Sequence, residues 1–303
     1  MRTTRLRRWR GERVRERDVI SLSGRYVLGR QIGAGGFGEV YAATDCFTGA
    51  QVAIKFYVAH SKEALAAAVK ARTVHHPNVV PVLEAGRLDE TSYLVMPLIK
   101  GRTLADHLAD RALTPRETVD LLEGIAAALD ELHEAGIVHR DIKPSNIMVT
   151  DEPAIHAVLL DFGLTPTIDA DAMGRFVGTP AYAAPEQMST QSADAAADIY
   201  GLAAVLAECL TATRLFSRPT YAETVRAHLV REQPLIELDN PVARALNPVL
   251  EKGLDIEPNR RYAKASELID AARAALDELP PELLDQPLAM GRPQEPAPTT
   301  VRS

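Results

Sequence analysis

The chain has 303 residues, 46% hydrophobic and 25% charged, enough to bury a sizeable core in one large domain or two lobes. No apolar run reaches the ~18 residues of a membrane span, no apolar stretch follows the arginine-rich start to make a signal peptide, and Cys46 and Cys209 stand far apart, as reduced thiols of a cytoplasmic protein would. The net charge of −7 divides into +5 for residues 1–20, with eight arginines against three carboxylates, and −12 for the rest, a body that repels phosphates and excludes a general nucleic-acid binder.

In chain order, residues 1–23 form a basic flexible arm. Its charge suits an acidic partner or an anionic lipid surface, or it is simply a solvated tail. From Arg25 to about Val58 the pattern predicts three strands, "RYVLGRQIG", "GEVYAAT" and "AQVAIKFYV", with "DCFTG" turning between the second and third. An Ala-rich helix is expected over 62–74, ended by His76-Pro77, and two more strands in "VVPVLEAGRL" and "TSYLVMPL". After Gly101 the periodicity turns helical, at 104–108, 114–135, 192–210, 221–231, 242–253 and 266–278. The last stretch, 279–303, is expected to be disordered, because the 24 residues from Pro280 include six prolines. A small β-rich lobe, 24–100, thus precedes a mainly α-helical one, 101–278.

Several short stretches carry chemistry. "GAGGFGEV" lies between two predicted strands, and its glycines Gly33, Gly35 and Gly38 allow backbone N–H groups to approach phosphates that a Cβ would hold away. A plain glycine-rich hairpin would read the same way; a dinucleotide loop would be followed by a helix, not a strand. "VAIK" then places Lys55 among apolar strand residues, where an ammonium needs an anionic partner. "HRDIKPSN" packs Asp141, Lys143 and Asn146 into one short loop, and "DFG" adds Asp161.

With "AAPE" these motifs stand in the order and approximate spacing of the protein-kinase signature set. The chain resembles a bacterial serine/threonine kinase of the eukaryotic-like (Hanks) type from about Gly24 to Ala275, including "DIYGLAAVL" and "EPNRRY". The resemblance implies an α+β bilobal fold with a small five-stranded antiparallel lobe bearing one main helix. It also implies ATP and Mg²⁺ as cofactors, with Mn²⁺ as the alternative metal, and a protein acceptor.

It assigns roles as well. Asp141 would receive the acceptor hydroxyl, Lys143 would neutralise the γ-phosphate, and Lys55 would grip the α- and β-phosphates; Asn146 and Asp161 would hold the metal. Val40, Ala53 and Met148 would enclose the adenine, with Met96 behind it. The hinge would be 97–99, using the Pro97 carbonyl and the Ile99 N–H. Glu186 would pair with Arg261, and Asp198 would brace the backbone of the catalytic loop. Lys143 together with "GTPAYAAPE" implies serine or threonine as the acceptor.

Two departures from the family pattern stand out. Arg140 would meet a phosphate on the activation segment, but "IDADAM" has no hydroxyl there; Thr165 and Thr167 are the only candidates before Thr179, which leaves Asp171 or Asp169 as a fixed negative charge. The glutamate expected to hold Lys55 falls at Ala67, and Glu63, one helical turn early, is the only carboxylate in that stretch. Ala71, where the family has a larger apolar residue, leaves this helix under-anchored, so a second copy of the chain or an activating partner on the small lobe could seat it. An active protein kinase therefore competes with a nucleotide-binding pseudokinase scaffold and, last, a small-molecule phosphotransferase.

Overall fold

The computed structural model describes residues 21–22, 24–35, 38–57, 69–88, 91–150, 156–161, 180–188, 193–229, 236 and 240–288. The arm up to residue 20, Glu63, Ala67, Thr165, Thr167, Asp169, Asp171, Thr179 and the tail from 289 lie outside them. The chain divides into two compact units, one drawn from Met1–His60 and Leu83–Leu98, the other from Ser61–Val82 and Ile99–Ser303.

The smaller unit is an antiparallel sheet in the order β1-β2-β3-β4-β6-β5. Its strands are β1 Ser21–Leu22, β2 Tyr26–Gly35, β3 Gly38–Asp45, β4 Gln51–Tyr57, β5 Glu84–Leu88 and β6 Thr91–Pro97. β1 is an addition to the five expected, formed by residues assigned to the flexible arm. The fourth expected strand is also shorter than "VVPVLEAGRL" suggests. Pro81 has no N–H to give a ladder, and Val79 and Val80 turn instead to the larger unit, where the Val80 N–H donates to the Leu159 carbonyl at 3.0 Å.

Strand register separates two faces. Val40 pairs with Lys55 and Ala42 with Ala53, while β6 sets Leu94 against Lys55 and Met96 against Ala53. Directly opposed residues share a face, so Val40, Ala53, Lys55 and Met96 all lie on one side. The other side holds the core of Tyr26, Ala43, Val52, Ile54, Phe56, Tyr93 and Val95. Each large side chain there contributes roughly 1.5–3 kcal/mol by burial. The Arg25 guanidinium closes one corner, 2.7 Å from Asp45 and 3.3 Å from Glu84. It holds the Asp45 carboxyl well below the usual carboxylate range.

In the larger unit β7 Arg102–Thr103, β8 Ile147–Thr150 and β9 His156–Leu159 make a small sheet. The helices are α1 Leu104–Asp110, α2 Pro115–Glu134, α3 Pro185–Met188, α4 Ala195–Thr211, α5 Tyr221–Leu229, α6 Pro241–Gly253, α7 Ala265–Asp277 and α8 Pro281–Leu284. Thr103 and Thr114 begin α1 and α2 with complete capping boxes, and Pro115 occupies the first turn of α2. α4 is apolar on all sides and buried continuously from Ala197 to Leu210, so it forms the centre of the unit. The buried carboxylates Asp198 and Glu208 on it are the exceptions. α8 corrects the expected start of the disordered tail: Leu284 is buried, and Asp285 meets Arg116 at 2.7 Å. Among the described residues no helix is long and apolar enough to cross a membrane.

Candidate active site

In the smaller unit, register alone brings the expected nucleotide residues together. Lys55 is 7% exposed, in a strand buried on both faces, and its ammonium lies 5.3 Å from the centre of the Tyr57 ring two residues along. Ala53 and Met96 are buried and Val40 is half-buried. The β2–β3 hairpin closes with Gly35 opposite Gly38 and Gly33 opposite Val40. Gly38 has φ +153°, and a Cβ there would collide with the carbonyl oxygen of Phe56 on β4. Only glycine fits. β6 ends at Pro97, and the Leu98 N–H donates to Gln51 at 3.3 Å, carrying the chain to the half-buried Ile99 of the larger unit. Ala71, at the end of a helical turn over 69–71, is buried, and nearby Lys70 donates to the Gly136 carbonyl at 3.1 Å within the larger unit.

The larger unit assembles its half by long-range hydrogen bonds. After α2 the chain turns at Gly136, φ +66°, and buries Ile137 before reaching His139. Asp198 at the start of α4 accepts the N–H of His139 and of Arg140, both at 2.7 Å, and also meets His133 Nε2 at 2.8 Å. His139 is fully buried. Its Nδ1 accepts the Asp141 N–H at 3.2 Å and its Nε2 donates to the Leu160 carbonyl at 2.7 Å, which fixes the tautomer. One imidazole thus joins the residue before Asp161 to Asp141.

Around Asp141 the expected residues converge. Lys143 Nζ lies 2.7 Å from Asp141 Oδ2, and Asn146 Nδ2 donates to the same oxygen at 2.9 Å and to the Asp141 carbonyl at 2.8 Å. Both donors orient the carboxylate through Oδ2, and the amide of Asn146 turns its Oδ1 away from Asp141. Ile147 pairs with Leu159 and the Leu160 N–H donates to the Asn146 carbonyl at 2.8 Å, so the β8–β9 ladder sets Asn146 and Asp161 at the same end. Asp161 has φ +58°. Met148 is half-buried on β8, beside Thr103. Arg140 Nε is buried and has no hydrogen-bond partner among the described residues.

The "PAYAAPEQM" stretch is anchored just as deeply. Tyr182 donates to Glu208 at 2.6 Å inside α4. Arg261 binds both oxygens of Glu186, at 2.6 and 2.8 Å, and spends its other N–H groups on the carbonyls of Asp255, Ala196 and Ile256. All five donors of the guanidinium are used. Gln187 bonds to Ala184 and to Arg140.

The protein kinase domain family matches residues 26–272. The chain belongs to this family. It is 36% identical to the serine/threonine-protein kinase PknH of Mycobacterium tuberculosis over 273 residues, covering 86% of this chain and 43% of PknH. It is 32% identical over 268 residues to the serine/threonine-protein kinase PrkC of Bacillus subtilis, covering 84% of this chain and 41% of PrkC. The chain therefore spans less than half the length of these relatives. The PknI kinase domain of Mycobacterium tuberculosis, solved as a cysteine-to-alanine mutant, superposes with a TM-score of 0.68 at 24% identity, over 87% of this chain and 99% of that one, and shows the bilobal kinase fold.

Three polar residues around Asp141 carry no signal in the sequence. His139 lies inside a quoted motif, yet nothing in the string says that its ring joins two loops. His133 sits on a helix face where a histidine carries no signal until Asp198 is placed beside it. Gln187 follows "APE" and reads locally as part of a helix start.

Proposed function

We propose that the chain is an ATP-dependent kinase that transfers the γ-phosphoryl group to serine or threonine hydroxyls of proteins. The observation that carries this reading is the Asp141 carboxylate, oriented at 2.7 and 2.9 Å by Lys143 and Asn146. Asp141 Oδ1, turned away from those two donors, is the atom that would accept the proton of the attacking hydroxyl. As the oxygen of the serine or threonine hydroxyl bonds to the γ-phosphorus, the bond to the β-phosphate oxygen breaks and ADP leaves. Lys143 would offset charge on the transferred group, and Lys55 would hold the α- and β-phosphates. Members of the family use ATP and Mg²⁺. Asn146 Oδ1 and the Asp161 carboxylate are hard oxygen donors of the type Mg²⁺ takes, and the ion would supply charge neutralisation on the phosphates.

The same proposal has "PAYAAPEQM" dock the protein acceptor, Asp171 or Asp169 supply the charge Arg140 meets, and Glu63 serve Lys55 when a partner on the small lobe seats the helix. It places the protein in the cytoplasm, where ATP is available. A scaffold without transfer activity is disfavoured, since Asp141, Lys143 and Asn146 stand together and the matched relatives are named kinases. The test is labelling of a protein acceptor and of the chain itself with ATP and Mg²⁺. Asp141→Asn should lower the rate about 10²-fold or more, with phosphoserine and phosphothreonine as products. Equal labelling by Asp141→Asn, or mainly phosphotyrosine, would refute it.

A further inference from the structure

The peptide plane that precedes Asp141 is held from both sides. Its N–H donates to His139 Nδ1 at 3.2 Å, and its carbonyl, that of Arg140, accepts from Gln187 Nε2 at 2.8 Å. One residue earlier the Arg140 N–H is bound to Asp198 at 2.7 Å. Arg140 has φ +68°. A non-glycine residue in the left-handed region costs on the order of 1–3 kcal/mol unless its surroundings impose that conformation, and these bonds are what impose it.

Gln187 is 7% exposed, and its other amide atom, Oε1, accepts the Ala184 N–H at 2.9 Å. Its orientation is forced: an N–H on one side requires the oxygen, and a carbonyl on the other requires the NH₂. The contact with Ala184 has a local explanation, because a glutamine at the third helical position commonly reaches back to the residue that caps the helix. The contact with Arg140, 47 residues away in sequence, has none. Capping α3 needs only the oxygen; the nitrogen is directed at the catalytic loop.

We infer that Gln187 is a positioning residue for phosphoryl transfer, its carboxamide tying the segment that docks the acceptor to the peptide plane that aims Asp141. The inference rests on the kinase reading of Asp141. It adds that docking an acceptor and aiming the carboxylate are coupled through one buried amide, so that a displacement of the 180–188 segment is felt at the base.

Glutamate is not a substitute. It would keep an oxygen for the Ala184 N–H, but when ionised it would set a second oxygen against the Arg140 carbonyl with no proton between them. Burial raises the pKa of such a carboxyl, and its protonated form regains a donor. The charged and titratable groups nearby are Arg140 itself, whose Nε has no hydrogen-bond partner among the described residues, Glu186, bound by Arg261, Asp198, bound by His133 and two N–H groups, His139, bound to Leu160 and Asp141, Asp141, bound by Lys143, and, on the neighbouring α5, His228, bonded to Tyr200. These are common to wild type and variants, so their titration cancels in a ratio of rates.

The experiment compares wild type, Gln187→Met, Gln187→Glu and Asp141→Asn in steady-state phosphorylation of a protein acceptor, with thermal melting of each. Gln187→Met keeps the side-chain volume and deletes both bonds; kcat should fall about 10- to 100-fold, as for a misplaced catalytic group, with KM for ATP unchanged. The rate of Gln187→Glu relative to wild type should rise as pH falls from about 8 to about 6, whereas the ratio for Gln187→Met stays flat. A wild-type kcat in Gln187→Met, or a Gln187→Glu ratio that does not change with pH, would reduce Gln187 to a helix cap and overturn the inference. If Gln187→Met does not fold, the Gln187→Glu ratio decides alone. A wild-type rate no greater than that of Asp141→Asn would overturn the kinase reading itself, a result distinguishable from the others.

Discussion

The two units position their candidate functional side chains by different means. In the smaller one, Val40, Ala53, Lys55 and Met96 share a face because strands alternate and their register is fixed, and the hairpin that carries Val40 requires a glycine at 38. In the larger one, no local pattern places Asp141. Its loop is held by Asp198, 58 residues on from Arg140, and by Gln187, while the stretch after Pro180 is held by Glu208 and Arg261. Register is robust to most single changes, since each residue is supported by a whole ladder. Long-range anchors concentrate the same task in a few buried polar atoms, and removing one leaves its partner unsatisfied in a low-dielectric interior.

The contrast predicts that the largest single-site effect lies at Arg261. Arg261→Met leaves the Glu186 carboxylate buried without its cation, and should destabilise the larger unit by about 3–5 kcal/mol. The double variant Glu186→Gln, Arg261→Met should recover part of that loss, because no charge is then stranded. Denaturant midpoints of the single and double variants measure both. A single variant within about 1 kcal/mol of wild type would mean that the anchors are not what holds the segment.

Acid separates the units next. His228 on α5 is buried against Phe216 at 4.0 Å and bonds to the Tyr200 hydroxyl at 2.8 Å. Burial, with a contribution from Arg218, pushes its pKa down to about 4 from an ordinary 6.5, while the Pro180 carbonyl opposes the shift. The unfolded chain takes up a proton below pH 6.5 that the folded chain refuses until near 4, so stability is fully present above that window and falls through it, by roughly 3 kcal/mol in all. In the smaller unit Asp45, held down by Arg25, contributes stability above the usual carboxylate range and loses it only below. Stability measured against pH should show the upper loss flattened in His228→Gln. An unchanged slope would place the acid sensitivity elsewhere.

How much of this was legible in the sequence follows the same division. Short apolar runs in "AQVAIKFYV" and "TSYLVMPL" mark the strands, and the face that carries Lys55 comes from their register. Apolar periodicity gave the six longer helices to within a few residues of their ends. Pro81, which has no N–H for the ladder, is the visible reason for the shorter fourth strand. In the larger unit the motif "HRDIKPSN" names the residues around Asp141 without saying what orients them. The partners of His133, His139 and Gln187 lie 65, 21 and 47 residues away, and a hydrogen bond across such a distance leaves no periodic trace. Glu186 and Arg261 were paired from the family resemblance, not from any spacing between them.

Gly38 tests the smaller unit's side of the comparison. In Gly38→Ala the new Cβ meets the backbone carbonyl of Phe56, and backbone does not move aside as a side-chain tip would. The hairpin should shift at a cost of about 1–3 kcal/mol, raising KM for ATP and leaving KM for the protein acceptor near wild type. Calorimetry together with both KM values checks it. An equal rise in the two constants would mean that the effect is not confined to the β2–β3 hairpin.

The smallest effect sharpens the comparison by removing a long-range anchor that has no part in the site. Lys264, the residue that precedes α7, makes no side-chain cap, and Asp130 on α2 supplies one from another helix, accepting the N–H of Ala265 at 2.7 Å and of Ser266 at 3.2 Å. A cap of this kind contributes about 1 kcal/mol, whether the oxygen comes from the neighbouring residue or from across the unit. Asp130→Ala should therefore lower the unfolding free energy by that amount and leave kcat and both KM values unchanged. Lys264→Asp offers a local replacement, and adding it to Asp130→Ala should restore most of the loss. A fall in kcat with Asp130→Ala would show that the anchors of the larger unit act as one network, and that the bonds to Asp198 and Gln187 are not separable from the packing of the helices behind them.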